Sequence, residues 1–196
     1  MEIPYSVTVR PDTGMNNASL GLWLFLASEV MLFGGLISAY AFLRAGAAAS
    51  GFGPQLSDVP MAGLNTLVLL ASSVFITLSR WALRDRELGR HKVFLGVTII
   101  LGAIFIGIKA FDYAIRFSNG LYPSSSTYLA VFFTLTGVHA LHVIGGMIVN
   151  GSLWCTGHQM WQHEPGRYLS RVSAASIYWN FVDAVWVVLF LLLYII

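Results

Sequence analysis

Five stretches of the 196-residue chain are long and apolar enough to cross a lipid bilayer as helices. A spanning helix needs about 20 apolar residues, because the hydrocarbon core is about 30 Å thick and each residue rises about 1.5 Å. With 57% hydrophobic and 10% charged residues, the chain has little left for a water-soluble domain. We therefore predict an all-α fold, a polytopic membrane protein with one transmembrane domain over residues 1–196. Its five transmembrane helices form a bundle with spans at about 20–43, 63–83, 93–115, 128–154 and 174–196.

The cationic residues predict the orientation of these spans. With the N-terminus in the cytoplasm, eight of the 11 Lys and Arg residues fall on the inner side, and Arg44 and Arg116 fall on the outer side. The remaining cation, Lys109, lies within a span. The positive-inside rule therefore favours a cytoplasmic N-terminus and a periplasmic C-terminus. The N-terminal segment has no apolar core typical of a cleaved signal peptide, and the single cysteine, Cys155, excludes an internal disulfide.

The fourth span carries two histidines, His139 and His142, in the sequence FFTLTGVHALHVIGGMIV. Residues three apart on a helix project from nearly one face. Small residues surround the pair, and in membranes small residues mark places where another helix approaches closely. Lipid offers no hydrogen-bond partner, so we expect this face to lie in the protein interior.

Polar residues in two other spans have similar predicted depths. Glu29 lies roughly 14 Å into the first span, and Asn180 and Asp183 lie roughly 9 and 14 Å from the inner end of the fifth. With His139 and His142, they form one predicted layer, a buried polar or lipid-binding site. An isolated carboxylate at such depth is strongly disfavoured, so we expect Glu29 to be protonated and to contact one of the histidines. Depth alone leaves the rotation of each helix undetermined.

A second polar group lies at the outer end of the third span. Lys109, Asp112 and Arg116 are spaced i, i+3 and i+7, which predicts an ion-pair ladder along one helical face. A structural role, with Asp112 paired to a snorkelling cation, is the preferred interpretation. A role in ion passage is the alternative.

These residues could support several kinds of chemistry. Two histidines and a carboxylate could ligate a metal, but no ExxH pair or second histidine-bearing span accompanies them. Bis-histidine haem needs ligands on opposite sides of the iron, whereas His139 and His142 share a face. The other histidines, His91, His158 and His163, are assigned to cytoplasmic loops. Two classes remain: a proton or ion transporter using Glu29, His139, His142 and Asp183, or an accessory subunit of a larger membrane enzyme.

One family resemblance covers nearly the whole chain. The segments ASEVMLFGGLISAYAFLR, LNTLVLLASS, IKAFDYA, TGVHALHVIGG and YWNFVDAVWVVLFLLLY occur in this order, one in each span. Together they resemble subunit III of the haem-copper terminal oxidases, in its short five-helix form. The TGxHxLHVxxG and YWxFVDxVW patterns are the most specific.

The resemblance implies a non-catalytic subunit without haem, copper or another metal, in a bacterial inner membrane. Haem and copper are then expected in partner subunits I and II. Subunit III is expected to pack on subunit I, bind phospholipid in a cleft and support proton uptake and sustained turnover. Glu29 matches the family's carbodiimide-reactive carboxyl. A larger respiratory supercomplex is a further possible assembly, and no nucleic-acid partner is expected.

This sequence departs from the family pattern at some positions. Asn180 stands where the family commonly has histidine, and Asp112 stands where glutamate is usual. Longer relatives have a basic contact to a lipid headgroup at the end of the histidine-bearing helix, where this chain has His158. The electron donor stays open between cytochrome c, which we prefer, and ubiquinol. A nitric-oxide-reductase-associated relative is the third alternative.

Overall fold

The computed structural model describes residues 8–12, 14–46 and 59–195. Its helices are α1 (Asn17–Gly46), α2 (Val59–Arg84), α3 (Leu88–Ser118), α4 (Thr127–His163) and α5 (Pro165–Phe190), and a π-helical turn (Leu191–Ile195) extends α5. Each of the five is long and apolar enough to span a membrane. The prediction of an all-α, five-span bundle is confirmed, although the last predicted residue, Ile196, lies outside the described residues.

The helices are longer than the predicted spans, most of all at the junction of α4 and α5. Hydropathy marks the part of a helix that crosses the bilayer, whereas the helix itself continues until a residue ends it. α4 runs nine residues past Trp154 to His163, and Pro165 occupies the first turn of α5. The residue before a proline is disfavoured in helical geometry, and Glu164 has φ −140° and ψ 68°. His158 and His163 are therefore exposed helical residues, not loop residues as predicted.

The predicted spans 20–43 and 63–83 leave a loop between them that includes Ala45 to Pro60, but helices occupy both of its ends. Ala45 and Gly46 end α1, and Val59 and Pro60 begin α2. The rest of that predicted loop lies outside the described residues.

Helices α2 to α5 pack around the indole of Trp179, which lies between two glycines. A Cβ atom at Gly146 of α4 would lie 2.8 Å from the Trp179 ring, and one at Gly102 of α3 would lie 2.9 Å from it. Both distances are too short for a side chain. These glycines therefore allow three helices to meet at one aromatic residue, as small residues do in membrane bundles.

Helix α1 packs on the outside of this group, against α4 and α5. Its buried residues are Leu26, Phe33 and Tyr40, one in every seven. Such spacing gives a narrow contact line along one side of a helix. The other sides of α1 remain exposed, which would place them against lipid or another protein.

The predicted solvated turn between the second and third spans contains a buried histidine. His91 lies in the first turn of α3 and is fully buried. The Tyr168 hydroxyl donates to the Leu153 carbonyl (3.1 Å), so its oxygen can accept from Nε2 of His91 (2.8 Å). Nδ1 lies 2.8 Å from the Ser79 hydroxyl oxygen and 3.1 Å from the Ser79 carbonyl oxygen. His91 thus links α2, α3, α4 and α5, and its assignment to a cytoplasmic loop was wrong.

Candidate functional site

The seam between α1 and α4 is closed by a carboxyl–imidazole contact. Glu29 Oε2 lies 2.7 Å from His142 Nε2, and the two side chains are 13% and 17% exposed. The His142 ring also meets the Phe33 ring edge-on, with centroids 5.2 Å apart. On the neighbouring helix, the Tyr178 hydroxyl donates to the His142 carbonyl at 3.0 Å. The contact that the predicted depths suggested is present, and His142 makes it.

The hydrogen bonds around His142 locate one proton of this pair. Nδ1 lies 2.8 Å from the carbonyl oxygen of Val138, which can only accept, so Nδ1 carries a hydrogen. A second proton must then lie between Nε2 and Glu29 Oε2. Either a neutral carboxyl donates to a neutral imidazole, or an imidazolium donates to a carboxylate. The pair is neutral overall in both cases, which suits a partly buried membrane position.

His139 lies apart from this pair. Its side chain is fully buried, and its ring packs against Phe105 (5.7 Å between centroids) and Trp186 (5.0 Å). Neither ring nitrogen has a hydrogen-bond partner among the described residues. The two histidines share a helix but face different neighbours, His142 towards α1 and His139 towards α3 and α5.

Three residues of α5 form hydrogen bonds to hydroxyl groups of α2. Trp179 donates to Ser72 Oγ (2.9 Å), and Trp186 donates to Thr66 Oγ1 (3.0 Å). Between them, Ser73 donates to one oxygen of the buried Asp183. The other Asp183 oxygen has no partner within the described chain. A charge there would be expensive, so we expect Asp183 to be neutral and structural.

Asn180, predicted to join the buried layer, is exposed on the surface of α5. Residues three apart differ by about 60° in direction around a helix, and this rotation separates it from Asp183. Expecting Asn180 among the buried polar residues was therefore wrong. The predicted layer divides into the Glu29–His142 pair, the isolated His139, and Asp183 of α5, which is bonded to Ser73 of α2.

Asp112 bridges the two cations of α3. Its oxygens lie 3.0 Å from Lys109 Nζ and 3.0 Å from Arg116 Nε. Lys109 is only 4% exposed, so it does not snorkel to the interface as expected. Instead, four aromatic rings surround its ammonium group at 5.2 to 5.8 Å from their centroids, those of Tyr113, Phe132, Trp186 and Tyr194. The arrangement stabilises a buried cation through its carboxylate and ring faces.

A sequence model described as cytochrome c oxidase subunit III matches residues 8–196. The chain belongs to the cytochrome c oxidase subunit III family. It is 34% identical to cytochrome c oxidase subunit 3 of Thermostichus vulcanus, over 90% of this chain and 86% of the relative. It is 31% identical to cytochrome bo(3) ubiquinol oxidase subunit 3 of Pseudomonas aeruginosa, over 94% and 87%. Cytochrome c oxidase subunit 3 of Bacillus subtilis is 31% identical, over 91% and 86%.

This subunit III chain is thus a multi-pass membrane protein and part of a haem-copper oxidoreductase complex of the respiratory chain. Its motifs TGVHALHVIGG and YWNFVDAVW now have structural roles. The first supplies His142 to the α1 seam and Gly146 to the Trp179 contact, while the second supplies the tryptophans and Asp183 that bond α2. The bonds to Ser72 and Thr66 were missed because the sequence does not reveal which helices are neighbours.

Proposed function

We propose that this chain is the cofactor-free, non-catalytic subunit of a bacterial proton-pumping cytochrome c oxidase. It packs on subunit I, beside subunit II, holds structural phospholipid and supports proton uptake and sustained turnover, while haem and copper reside in those partners. The observation that carries the proposal is the Glu29–His142 contact at 2.7 Å. We call this contact the clamp, because it joins α4 to α1, a helix that otherwise packs along a narrow contact line.

The surroundings of His139 and His142 support a structural role for both histidines and not a metal-binding one. Both ring nitrogens of His142 are engaged, one by Val138 and the other by Glu29. His139 is enclosed by aromatic rings on α3 and α5. A metal at this helix would have to break the Glu29 contact and displace those rings.

Phospholipid is the expected neighbour of the α1 seam. Around Glu29, the exposed face of α1 carries large apolar side chains, among them Phe25 and Leu32. Acyl chains lying along this face would cover it, and the clamp would keep α1 at a fixed distance from α4. Loosening the clamp should release lipid before it changes the chemistry, which occurs in other subunits.

The test is Glu29→Ala, assayed in the purified oxidase for initial rate and for decay of that rate during turnover. A near-normal initial rate with faster decay is expected. Immediate loss of activity in an assembled, haem-replete complex would instead give Glu29 an obligatory part in proton transfer. Ser28→Ala is the matched control, since Ser28 is exposed and its hydroxyl bonds only Phe25 of its own helix.

A ubiquinol oxidase is the second candidate, favoured by the similarity to the Pseudomonas aeruginosa subunit. Donor binding belongs to other subunits, so mass spectrometry of the co-purifying proteins distinguishes the two. A copper-binding subunit II indicates cytochrome c, and one lacking the copper ligands indicates quinol.

We also propose a cytoplasmic N-terminus and a periplasmic C-terminus, from the eight-to-two distribution of cations. A reporter fused after Ile196 and active only outside the cytoplasm is the expected result. Activity of a reporter that works only in the cytoplasm would reverse this orientation.

A further inference from the structure

One face of α5 is half-buried over its first turns, exposed from Asn180 onwards, and rich in small and polar residues. It runs through Ser173, Ile177, Asn180, Ala184 and Val188, which lie within about 80° of one another at 100° per residue. Asn180, Ala184 and Val188 are exposed. Small residues with a polar group among them are typical of contacts between membrane helices.

Asn180 is the unusual member of this face, because its amide lies within the hydrocarbon core of the bilayer. It is six residues into the predicted span that begins at Ala174, about 9 Å along the helix, which is inside a core about 30 Å thick. Its side chain makes no hydrogen bond within the part of the chain that the structure describes. An amide with two donors and an acceptor is disfavoured against hydrocarbon, since acyl chains can neither donate nor accept.

The same face is concave towards the cytoplasmic side. A groove of about 290 Å³ lies between α1 and α5, lined on α5 by Ser170, Ser173 and Ile177 and on α1 by Ser19 and Trp23. Ile177 is one turn before Asn180, so the groove leads directly to the amide. A lipid headgroup could occupy its inner mouth, but only acyl chains would reach Asn180.

We propose that the Asn180–Ala184 face is the docking surface for a transmembrane helix of another oxidase subunit. That helix carries a hydrogen-bonding side chain, or an unpaired backbone carbonyl, at the depth of Asn180. It bonds the Asn180 amide, and its backbone approaches over Ala184. The inference rests on the proposed function, since it requires that the chain assembles with other oxidase subunits.

A photo-activatable diazirine side chain at position 184 tests the surface in the assembled oxidase. The matched control is the same side chain at Ile148, on α4 and 67% exposed. The expected product is a crosslink from position 184 to a membrane-embedded oxidase subunit identified by mass spectrometry, with little from position 148. Adducts with lipid alone at 184, or equal protein crosslinking from both sites, would overturn the proposal.

Two outcomes separate this inference from the proposed function. If the subunit co-purifies with the oxidase but position 184 does not crosslink to it, the docking face is wrong and the proposed function stands. If no oxidase subunit co-purifies under mild solubilisation, the proposed function itself fails, and the docking surface fails with it.

Substitutions provide an independent measurement. Asn180→Leu should weaken retention of the subunit by about 3- to 30-fold, the range expected for one interhelical hydrogen bond in a membrane. Ala184→Trp should release it more completely, because the indole would hold the partner helix away. Ser28→Ala and Ile148→Trp should leave retention unchanged. Equal retention of all four variants in titrated detergent would contradict the proposal.

Discussion

The α1 seam and the interior between α2 and α5 use polar groups in opposite ways. Three residues of α1 are buried, against nine each in α2 and α5. In the interior, Trp179, Asp183 and Trp186 each bond a hydroxyl on α2 and are almost fully buried. At the seam, the Glu29–His142 pair stays partly exposed. Close packing fixes the interior, whereas the seam depends on a few contacts and is the part that lipid and partner subunits can influence.

The largest expected effect comes from filling the interior at Gly146. Its Cβ position is 2.8 Å from the Trp179 ring, so Gly146→Val must displace the indole that bonds Ser72. We expect destabilisation of about 3 kcal/mol or more, since overpacking costs 1–3 kcal/mol and here a hydrogen bond is lost as well. Thermal unfolding of the purified subunit measures it. Gly151→Val on the same helix is the control, because open space surrounds Gly151; equal melting of both variants would contradict this packing.

Removing one hydrogen bond between α2 and α5 should have a smaller effect. Trp186→Phe deletes the N–H that donates to Thr66 and leaves the ring contacts largely in place. A loss of about 1–3 kcal/mol is expected. A double-mutant cycle with Thr66→Val should give a coupling of about 0.6–1.7 kcal/mol. Zero coupling would mean that the two groups do not interact, and Trp81→Phe at an exposed site of α2 should change nothing.

Labelling with a hydrophobic carbodiimide compares how readily a reagent from the lipid reaches the carboxyl group in each region. Glu29 is half-buried at the seam, whereas Asp183 is buried in the interior. Because the reagent arrives through lipid and reacts with protonated carboxyls, Glu29 should be modified first. Peptide mass spectrometry after limited reaction gives the ratio. Preferential modification of Asp183 would show that the interior opens more readily than the seam.

The sequence predicted the spans and the depths of their polar residues, but not the direction in which each residue points. Apolar length gives the five helices, since the bilayer thickness is fixed. It could not predict that α4 continues to His163, because the end depends on the proline at the start of α5. The similar depths predicted that a histidine contacts Glu29, but the rotation of α4 determines that this histidine is His142. The rotation of α5 turns Asn180 outwards and Asp183 inwards.

The smallest expected effect is that of Glu29→Gln at the seam. A glutamine amide can donate to His142 Nε2 in the same way as a protonated carboxyl, whereas Val138 keeps the hydrogen on Nδ1. If the pair is carboxyl and neutral imidazole, as the membrane setting favours, Glu29→Gln should change the free energy of unfolding by less than about 0.5 kcal/mol. Glu29→Ala leaves the imidazole nitrogen unpartnered and should cost about 1–3 kcal/mol.

Infrared spectroscopy decides between the two proton positions at this pair. If Glu29 is protonated, Glu29→Gln should remove one of two C=O bands of protonated carboxyls, and the other band, that of Asp183, should be removed by Asp183→Asn. If Glu29→Gln removes no such band and destabilises the subunit as much as Glu29→Ala, the seam is instead a carboxylate–imidazolium pair. The clamp on α1 would then depend on a charge pair inside the bilayer instead of a neutral hydrogen bond.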